Sequence, residues 1–123
     1  IQLKSSLIGT GFPFRPLEHL DVYLAILRDM MKSSAGVRRA GSAALDLAYV
    51  AAGRLDGFWE FGLSPWDIAA GALLITEAGG LVGDLAGENN YMKTGNIVAG
   101  NPKVFVELLH AISPHLTPEL KPG

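Results

Sequence analysis

One helix pattern organises this chain: residues 64–80 read SPWDIAAGALLITEAGG. Ser64 is a favourable N-cap residue, and Pro65 suits the first helical position, where its missing amide proton costs nothing. Asp67, at the third helical position, is favoured by the positive end of the helix dipole and can help to cap the helix. The small residues that follow allow close packing on a sheet. The stretch therefore predicts a helix that runs to about Ala78, where a glycine pair stops it.

Short apolar segments and helix patterns alternate on both sides of this helix. The predicted strands are 6–11 with its glycine loop, 37–40, 56–61, 81–84 and 96–99, and residues 86–95 read as a polar loop. The other predicted helices are 17–32, 42–52 and 101–112. Alternation with short connections is typical of a layered α/β domain. We expect one such domain over residues 1–112 and a frayed tail over 113–123.

The composition describes a chain with enough apolar material for a core. The 123 residues suit one domain, 49% of them are hydrophobic, and 18% are charged, which is far from a disordered composition. A net charge of -2 gives no direct signal for nucleic-acid binding. The absence of cysteine excludes disulfides and thiolate metal sites within these residues. No apolar run of about 18 residues predicts a membrane span.

Several ordered segments carry a family resemblance. Residues 66–71 (WDIAAG), followed by 77–80 (EAGG), resemble the C-terminal signature of the inositol monophosphatase family. Further similar segments are 41–44, 56–62, 90–92 and 95–102, of which the last two look like the bacterial branch. The resemblance covers nearly the whole chain. It implies an α/β fold, the C-terminal layered domain of an αβαβα sugar-phosphatase sandwich.

The resemblance also implies roles for individual residues. Asp67 matches the aspartate that binds a catalytic magnesium ion near the leaving-group oxygen. Glu60 matches the glutamate that accepts a hydrogen bond from an inositol hydroxyl group. Gly41, Ser42 and Ala43 match the segment that lines the inositol ring. The resemblance therefore implies magnesium as cofactor and a polyol phosphate as substrate.

Each of these residues also has an explanation that needs no ligand. Asp67 can serve the helix dipole alone, Ser42 is a good N-cap residue in any case, and Glu60 can be a solvated charge at a strand end. The other acids, Asp46, Asp56 and Asp84, are not assembled into a site by their spacing, and the last is expected to cap a turn.

Two metal-binding segments of the family do not occur in the sequence. These are the Gly-Glu-Glu and the Asp-Pro-(Ile/Leu)-Asp-Gly-Thr motifs, which lie upstream in the family. The chain also begins at Ile1 instead of Met. We therefore expect a C-terminal half whose N-terminal catalytic half is absent. A single carboxylate leaves nearly the whole magnesium shell to water, so we expect the fragment alone to be inactive.

The sequence leaves three hypotheses for the function open. The leading one is a magnesium-dependent phosphatase that hydrolyses inositol 1-phosphate. Related phosphatases act on fructose 1,6-bisphosphate, 3′-phosphoadenosine nucleotides or histidinol phosphate. Bacterial members that resemble this chain can act instead as protein-binding factors in ribosomal RNA transcription complexes. The resemblance also implies a cytoplasmic homodimer, with the Arg38-Arg39 step close to the subunit contact.

Overall fold

The computed structural model describes residues 3–11, 20–38, 41–117 and 120. Its strands are β1 (Leu7–Thr10), β2 (Gly36–Arg38), β3 (Gly57–Glu60), β4 (Leu81–Gly83) and β5 (Ile97–Gly100). Its helices are α1 (Leu20–Ser33), α2 (Ala43–Ala51), α3 (Pro65–Glu77), α4 (Tyr91–Thr94) and α5 (Pro102–Ile112). Short 3-10 turns occupy Leu3–Ser5 and Ser113–His115.

The strands form one mixed sheet in the order β2-β1-β3-β5-β4. The strand β1 lies parallel to both neighbours, with Ile8 paired to Val37 on one side and to Gly57 on the other. The strand β5 runs antiparallel to β3 and to β4. The carboxyl ends of β1, β2 and β3 therefore meet at one edge of the sheet, which is where open α/β sheets commonly bind ligands.

Helices cover both faces of the sheet. Successive strand residues point to opposite faces, so each strand contributes side chains to both helical layers. Phe58 faces α2 and α3, and the next residue, Trp59, faces α1 and α5; both are fully buried. The core on the α2/α3 side is completed by Leu47, Val50, Leu55, Ile68, Ala72, Ile75, Ile97 and Ala99. The core on the α1/α5 side includes Ile8, Tyr23, Ile26, Met30, Val98, Val104 and Leu108. The result is three layers, helix on sheet on helix.

The α/β fold class is confirmed, and the predicted strands and helices recur with shifted ends. The start of the helix predicted over 17–32 and the end of the strand predicted over 37–40 lie outside the described residues. The polar loop over 86–95 was wrong in one respect, because it contains the single-turn helix α4. Gly95 ends that turn at a φ of 76°, and Asn90 O accepts the Thr94 hydroxyl group.

The segment expected to fray begins with the 3-10 turn at Ser113–His115, and Leu120 is 5% exposed in the α1/α5 core. His115 pairs with Asp29 of α1 through Nε2 and Oδ2. Residues 118, 119 and 121–123 lie outside the described part. Among the described residues, no helix combines the length and apolar character that a bilayer crossing requires.

Candidate functional site

The start of α2 is built from the segment that sequence similarity assigns to a ligand. Gly41 has a φ of 85°, a conformation that a residue with a β-carbon rarely adopts. Ser42 is the N-cap, and its side chain accepts a hydrogen bond from Leu45 N at 3.3 Å. Its predicted capping role is confirmed. Gly41 and Ser42 are exposed and Ala43 is half-buried, so this segment is accessible to a ligand.

Glu60 is the last residue of β3, and its side chain leaves the sheet on the α2/α3 side. It lies across the end of β1: a β-carbon placed on Gly11 would come within 2.2 Å of Glu60 Oε1. The carboxyl group is half-buried. The alternative of a freely solvated edge charge was therefore wrong, because the side chain is held against the neighbouring strand.

Asp67 stands in the first turn of α3 and takes part in a capping arrangement. Ser64 N donates to Asp67 Oδ2 at 3.3 Å, and Asp67 N donates to Ser64 O at 3.0 Å. The helix-capping explanation of this acid is thus confirmed. It does not exclude a ligand, because Asp67 is only half-buried and its second carboxylate oxygen remains available.

The charges at this edge act on one another. Burial, and after it the negative charges of Asp46 and Asp67, raise the pKa of Glu60 to about 7. The charge of Asp67 therefore acts on Glu60. These two acids, which sequence similarity singled out, lie on the consecutive elements β3 and α3.

Asp46 is the acid that sequence reasoning missed. It lies one turn into α2, is 2% exposed, and its charge acts on Glu60. Burial raises the pKa of Asp46, and the positive charge of Arg38 on β2 opposes that rise. The sequence did contain a sign of this burial. Asp46 is an acid within the apolar helix segment 43–51, four residues after the predicted N-cap, where no solvated helix face is expected.

The remaining two acids have structural roles. Asp56 Oδ2 accepts from Leu7 N at 2.7 Å and so ties the start of β3 to the start of β1. Asp84 Oδ1 accepts from Ala86 N and Glu88 N, each at 2.9 Å, which confirms the predicted turn cap. Neither is among the charges that raise the pKa of Glu60.

The carboxylate side chains at this edge are of the type that binds magnesium, but the described residues provide too few of them. Carboxylate oxygens are the ligands that magnesium prefers, and Asp67 has one oxygen outside its cap. Within residues 3–11, 20–38, 41–117 and 120, no group of three or more histidine, cysteine, aspartate or glutamate side chains is arranged to hold a metal ion. These residues could therefore supply part of a magnesium shell and not a complete one.

The chain is thus an α/β sandwich that places half-buried acids near the carboxyl ends of parallel strands. The sequence model of the inositol monophosphatase family matches residues 5–117. Since the match covers most of the chain, the protein belongs to the inositol monophosphatase family.

Individual relatives agree with this assignment. Nus factor SuhB of Pseudomonas aeruginosa is 60% identical over 121 residues, which are 97% of this chain and 45% of that protein. The crystal structure of extragenic suppressor protein suhB from Bartonella henselae superposes with a TM-score of 0.88 at 47% identity, over 94% of this chain and 44% of that one. Inositol monophosphatase from Anabaena gives a TM-score of 0.86 at 43% identity, over 92% and 45%. The chain thus spans less than half the length of the relatives it matches.

Proposed function

We propose that this chain forms the polyol-facing part of a magnesium-dependent phosphatase that hydrolyses inositol 1-phosphate to inositol and phosphate. The observation that carries the proposal is the placement of Glu60 at the carboxyl end of β3 and of Asp67 in the first turn of α3, because both elements pack against α2. Membership of the inositol monophosphatase family supports the reaction class. The Anabaena relative, named inositol monophosphatase, supports the substrate class.

Each group of the edge has a role in this proposal. Glu60 accepts a hydrogen bond from one hydroxyl group of the ring, since a carboxylate is an acceptor without a donor of its own. The exposed segment Gly41–Ala43 lines the ring, and the α2 start presents its backbone amides nearby. The half-buried position of Glu60 excludes part of the water that would compete for that hydrogen bond.

Asp67 is the residue of this chain that would hold magnesium. Its capping bond to Ser64 N fixes the carboxylate in one orientation, which leaves the other oxygen for a cation. When bound, magnesium would supply Lewis-acid stabilisation of the negative charge on the phosphate and leaving-group oxygens. The residues that the structure describes supply too few donors, so we propose that residues beyond this chain complete the site and that the chain alone is inactive.

The test compares two proteins in a phosphate-release assay with inositol 1-phosphate and magnesium. One is the 123-residue chain. The other is a full-length chimera in which this chain replaces the segment it matches in the Pseudomonas aeruginosa relative. We expect release from the chimera alone. In the chimera, Asp67→Asn should lower kcat by roughly 100-fold or more, the typical loss when one electrostatic contributor to a transition state is removed.

Asp56→Asn serves as the matched control, because Asp56 lies directly before β3 and its carboxylate accepts a hydrogen bond from Leu7 N. It should leave kcat within about two-fold once folding is checked by circular dichroism. Release by the 123-residue chain at the rate of the chimera would contradict the incomplete-site proposal. A panel of fructose 1,6-bisphosphate, 3′-phosphoadenosine nucleotides and histidinol phosphate separates the related substrate classes.

A second candidate function is a protein-binding role in transcription complexes. It is favoured by one observation, the name Nus factor SuhB carried by the Pseudomonas aeruginosa relative. Asp67→Asn separates the two functions in the chimera. A binding role that depends on the surface and not on the metal would survive this substitution, whereas phosphate release would be lost.

The proposal extends to a cytoplasmic homodimer with a contact near Arg38. This residue ends the edge strand β2 and is exposed, and Arg39 lies outside the described residues. Sedimentation analysis of the chimera should give twice the monomer mass. Arg38→Glu should shift the equilibrium towards the monomer if this edge forms the contact.

A further inference from the structure

A cavity of about 340 Å³ lies where β3 begins, at the opposite end of that strand from Glu60. Its apolar floor includes Val50, Leu55 and Ile75, which belong to the α2/α3 core. The ends of α2 and α3 and the turn between β5 and α5 form its rim. The volume falls in the range of small-molecule sites, and the proposed phosphatase reaction makes no use of this cavity.

Asp56 contributes a carboxylate to the cavity wall. It lies directly before β3, two residues ahead of Phe58, so strand alternation places its side chain on the α2/α3 side of the sheet. Asp56 Oδ2 accepts a hydrogen bond from Leu7 N at 2.7 Å. Within the described part of the chain, Oδ1 has no hydrogen-bond partner and is not enclosed by protein. One carboxylate oxygen is therefore available to a ligand.

The helices α2 and α3 both end at the cavity. Each is followed by a glycine in the left-handed conformation, Gly53 at a φ of 77° and Gly79 at a φ of 87°. Ala51 and Ala78 line the cavity, and no backbone N–H of the described residues donates to the carbonyl oxygen of either one. The negative ends of two helix dipoles therefore meet at the same cavity.

These two helix ends lack the basic residue that the other helices carry. In their last turns α1, α4 and α5 have Lys32, Lys93 and His110, a placement that favours the dipole, whereas α2 and α3 have no basic residue there. Arg54 follows α2, but its guanidinium lies 5.8 Å from the centre of the Tyr49 ring. Among the described residues that line the cavity, none is lysine, arginine or histidine. The cavity thus offers acceptors and negative charge without a cation.

The start of α5, which also reaches the rim, does not reverse this balance. Asn101 Oδ1 accepts a hydrogen bond from Val104 N at 3.0 Å, so the positive end of α5 is covered by its own cap.

We propose that this cavity binds an alkylammonium group, the charged end of a small aliphatic amine. The ammonium group donates to Asp56 Oδ1 and to the free carbonyl groups at the ends of α2 and α3, because it carries three donors and no acceptor. The aliphatic chain lies on the apolar floor. Magnesium fits this cavity poorly, since the floor supplies no oxygen ligands. The site does not depend on the proposed phosphatase function.

The test is isothermal titration calorimetry of the full-length chimera with n-butylamine, which is protonated at neutral pH. We expect saturable binding at one site with a Kd on the order of 1 mM, as suits a ligand of five non-hydrogen atoms. The neutral alcohol 1-butanol has the same length and should bind roughly ten-fold more weakly or worse, because it lacks the charge.

Asp56→Asn identifies the site. The amide keeps an oxygen for Leu7 N but replaces the free carboxylate oxygen by an NH2 group, so the Kd for n-butylamine should rise about ten-fold. Glu88→Gln is the matched control, because it removes the same charge at an exposed position that does not line the cavity. It should leave the Kd within about two-fold. If Asp56→Asn does not fold, Ala51→Leu replaces it, since the larger side chain occupies the cavity and should abolish binding.

Three results would each overturn the proposal. These are no saturable binding of n-butylamine, equal affinity for 1-butanol, and a Kd that neither Asp56→Asn nor Ala51→Leu changes. Binding is measured without phosphate release, so a chimera that fails to hydrolyse inositol 1-phosphate contradicts the proposed function and leaves this result intact.

Discussion

At the scale of single residues, the candidate site depends on carboxyl groups that lie close to one another. Their burial and their mutual repulsion raise the pKa of one of them. Glu60 shows this most directly, since burial and two neighbouring acids raise its pKa from 4.5 to about 7. Such displaced values are common at ligand sites, where charged groups are brought together for a reason other than stability. The raised pKa of Glu60 should make the free energy of unfolding depend on pH.

Substitution Glu60→Gln tests that consequence. The folded-state pKa of Glu60 is raised, so folding binds the proton more tightly than the unfolded chain does. The corresponding stability is fully present below pH 4.5 and is lost as the pH rises through about 7. The wild type should therefore lose stability over this window, whereas Glu60→Gln should not. Allowing for solvent screening of a half-buried group, we expect the difference to be about 1–2 kcal/mol.

The measurement is urea unfolding of both proteins at several pH values between 4 and 8 in the presence of a chelator. The chelator matters because a bound cation would offset the repulsion that raises the pKa. Asp56→Asn is a suitable control, because Asp56 does not act on Glu60. Parallel stability profiles for wild type and Glu60→Gln would show that Glu60 does not titrate in this range.

At the scale of elements, the site is held by the close approach of α2 and α3, whose first turns carry Asp46 and Asp67. The approach requires a glycine at position 71. A β-carbon there would lie 2.6 Å from Leu47 Cβ, an atom close to the backbone that cannot rotate away. The two helices would have to separate, and the acids at their starts would separate with them.

Gly71→Ala should therefore destabilise the protein, although alanine is the better helix former by about 1 kcal/mol. We expect a net loss of about 1–2 kcal/mol, because overpacking of a tight contact outweighs helix propensity. Ala70→Gly, at an exposed position of the same helix, should cost only the propensity difference of about 1 kcal/mol. Thermal unfolding measures both, and a stabilised Gly71→Ala would show that the helices are less closely packed.

The elements also show what the sequence could and could not predict. Caps at Ser42 and Ser64, the glycine stops and the strand pattern follow from local chemistry, and these predictions are confirmed. The position of Asp46 was missed because its burial depends on how α2 packs across β1, which is a contact between distant segments. The roles proposed for Glu60 and Asp67 came from family resemblance, because the local pattern at either residue does not identify a ligand.

At the scale of the whole molecule, the two helical layers differ in their outer surfaces. The helices α1 and α5 have clear polar faces, whereas α2 and α3 are apolar nearly all round. Leu73 is 62% exposed and Leu45 is 45% exposed on that layer. Helices that are apolar all round are normally buried. In the chimera with the Pseudomonas aeruginosa relative, of which this chain spans 45%, we expect the rest of the protein to pack on the α2/α3 layer.

Leu73→Lys distinguishes this arrangement from a solvent-exposed layer. In the 123-residue chain the substitution should change stability by no more than about 0.5 kcal/mol, as for other surface positions. In the full-length chimera it should cost about 2 kcal/mol or more, because a lysine would be buried without a partner. Val106→Lys, at a 46% exposed position of α5 on the opposite layer, should be tolerated in both proteins. Equal small effects of Leu73→Lys in the chain and in the chimera would mean that the rest of the protein does not cover α3, and the completion of the magnesium shell would have to come from another direction.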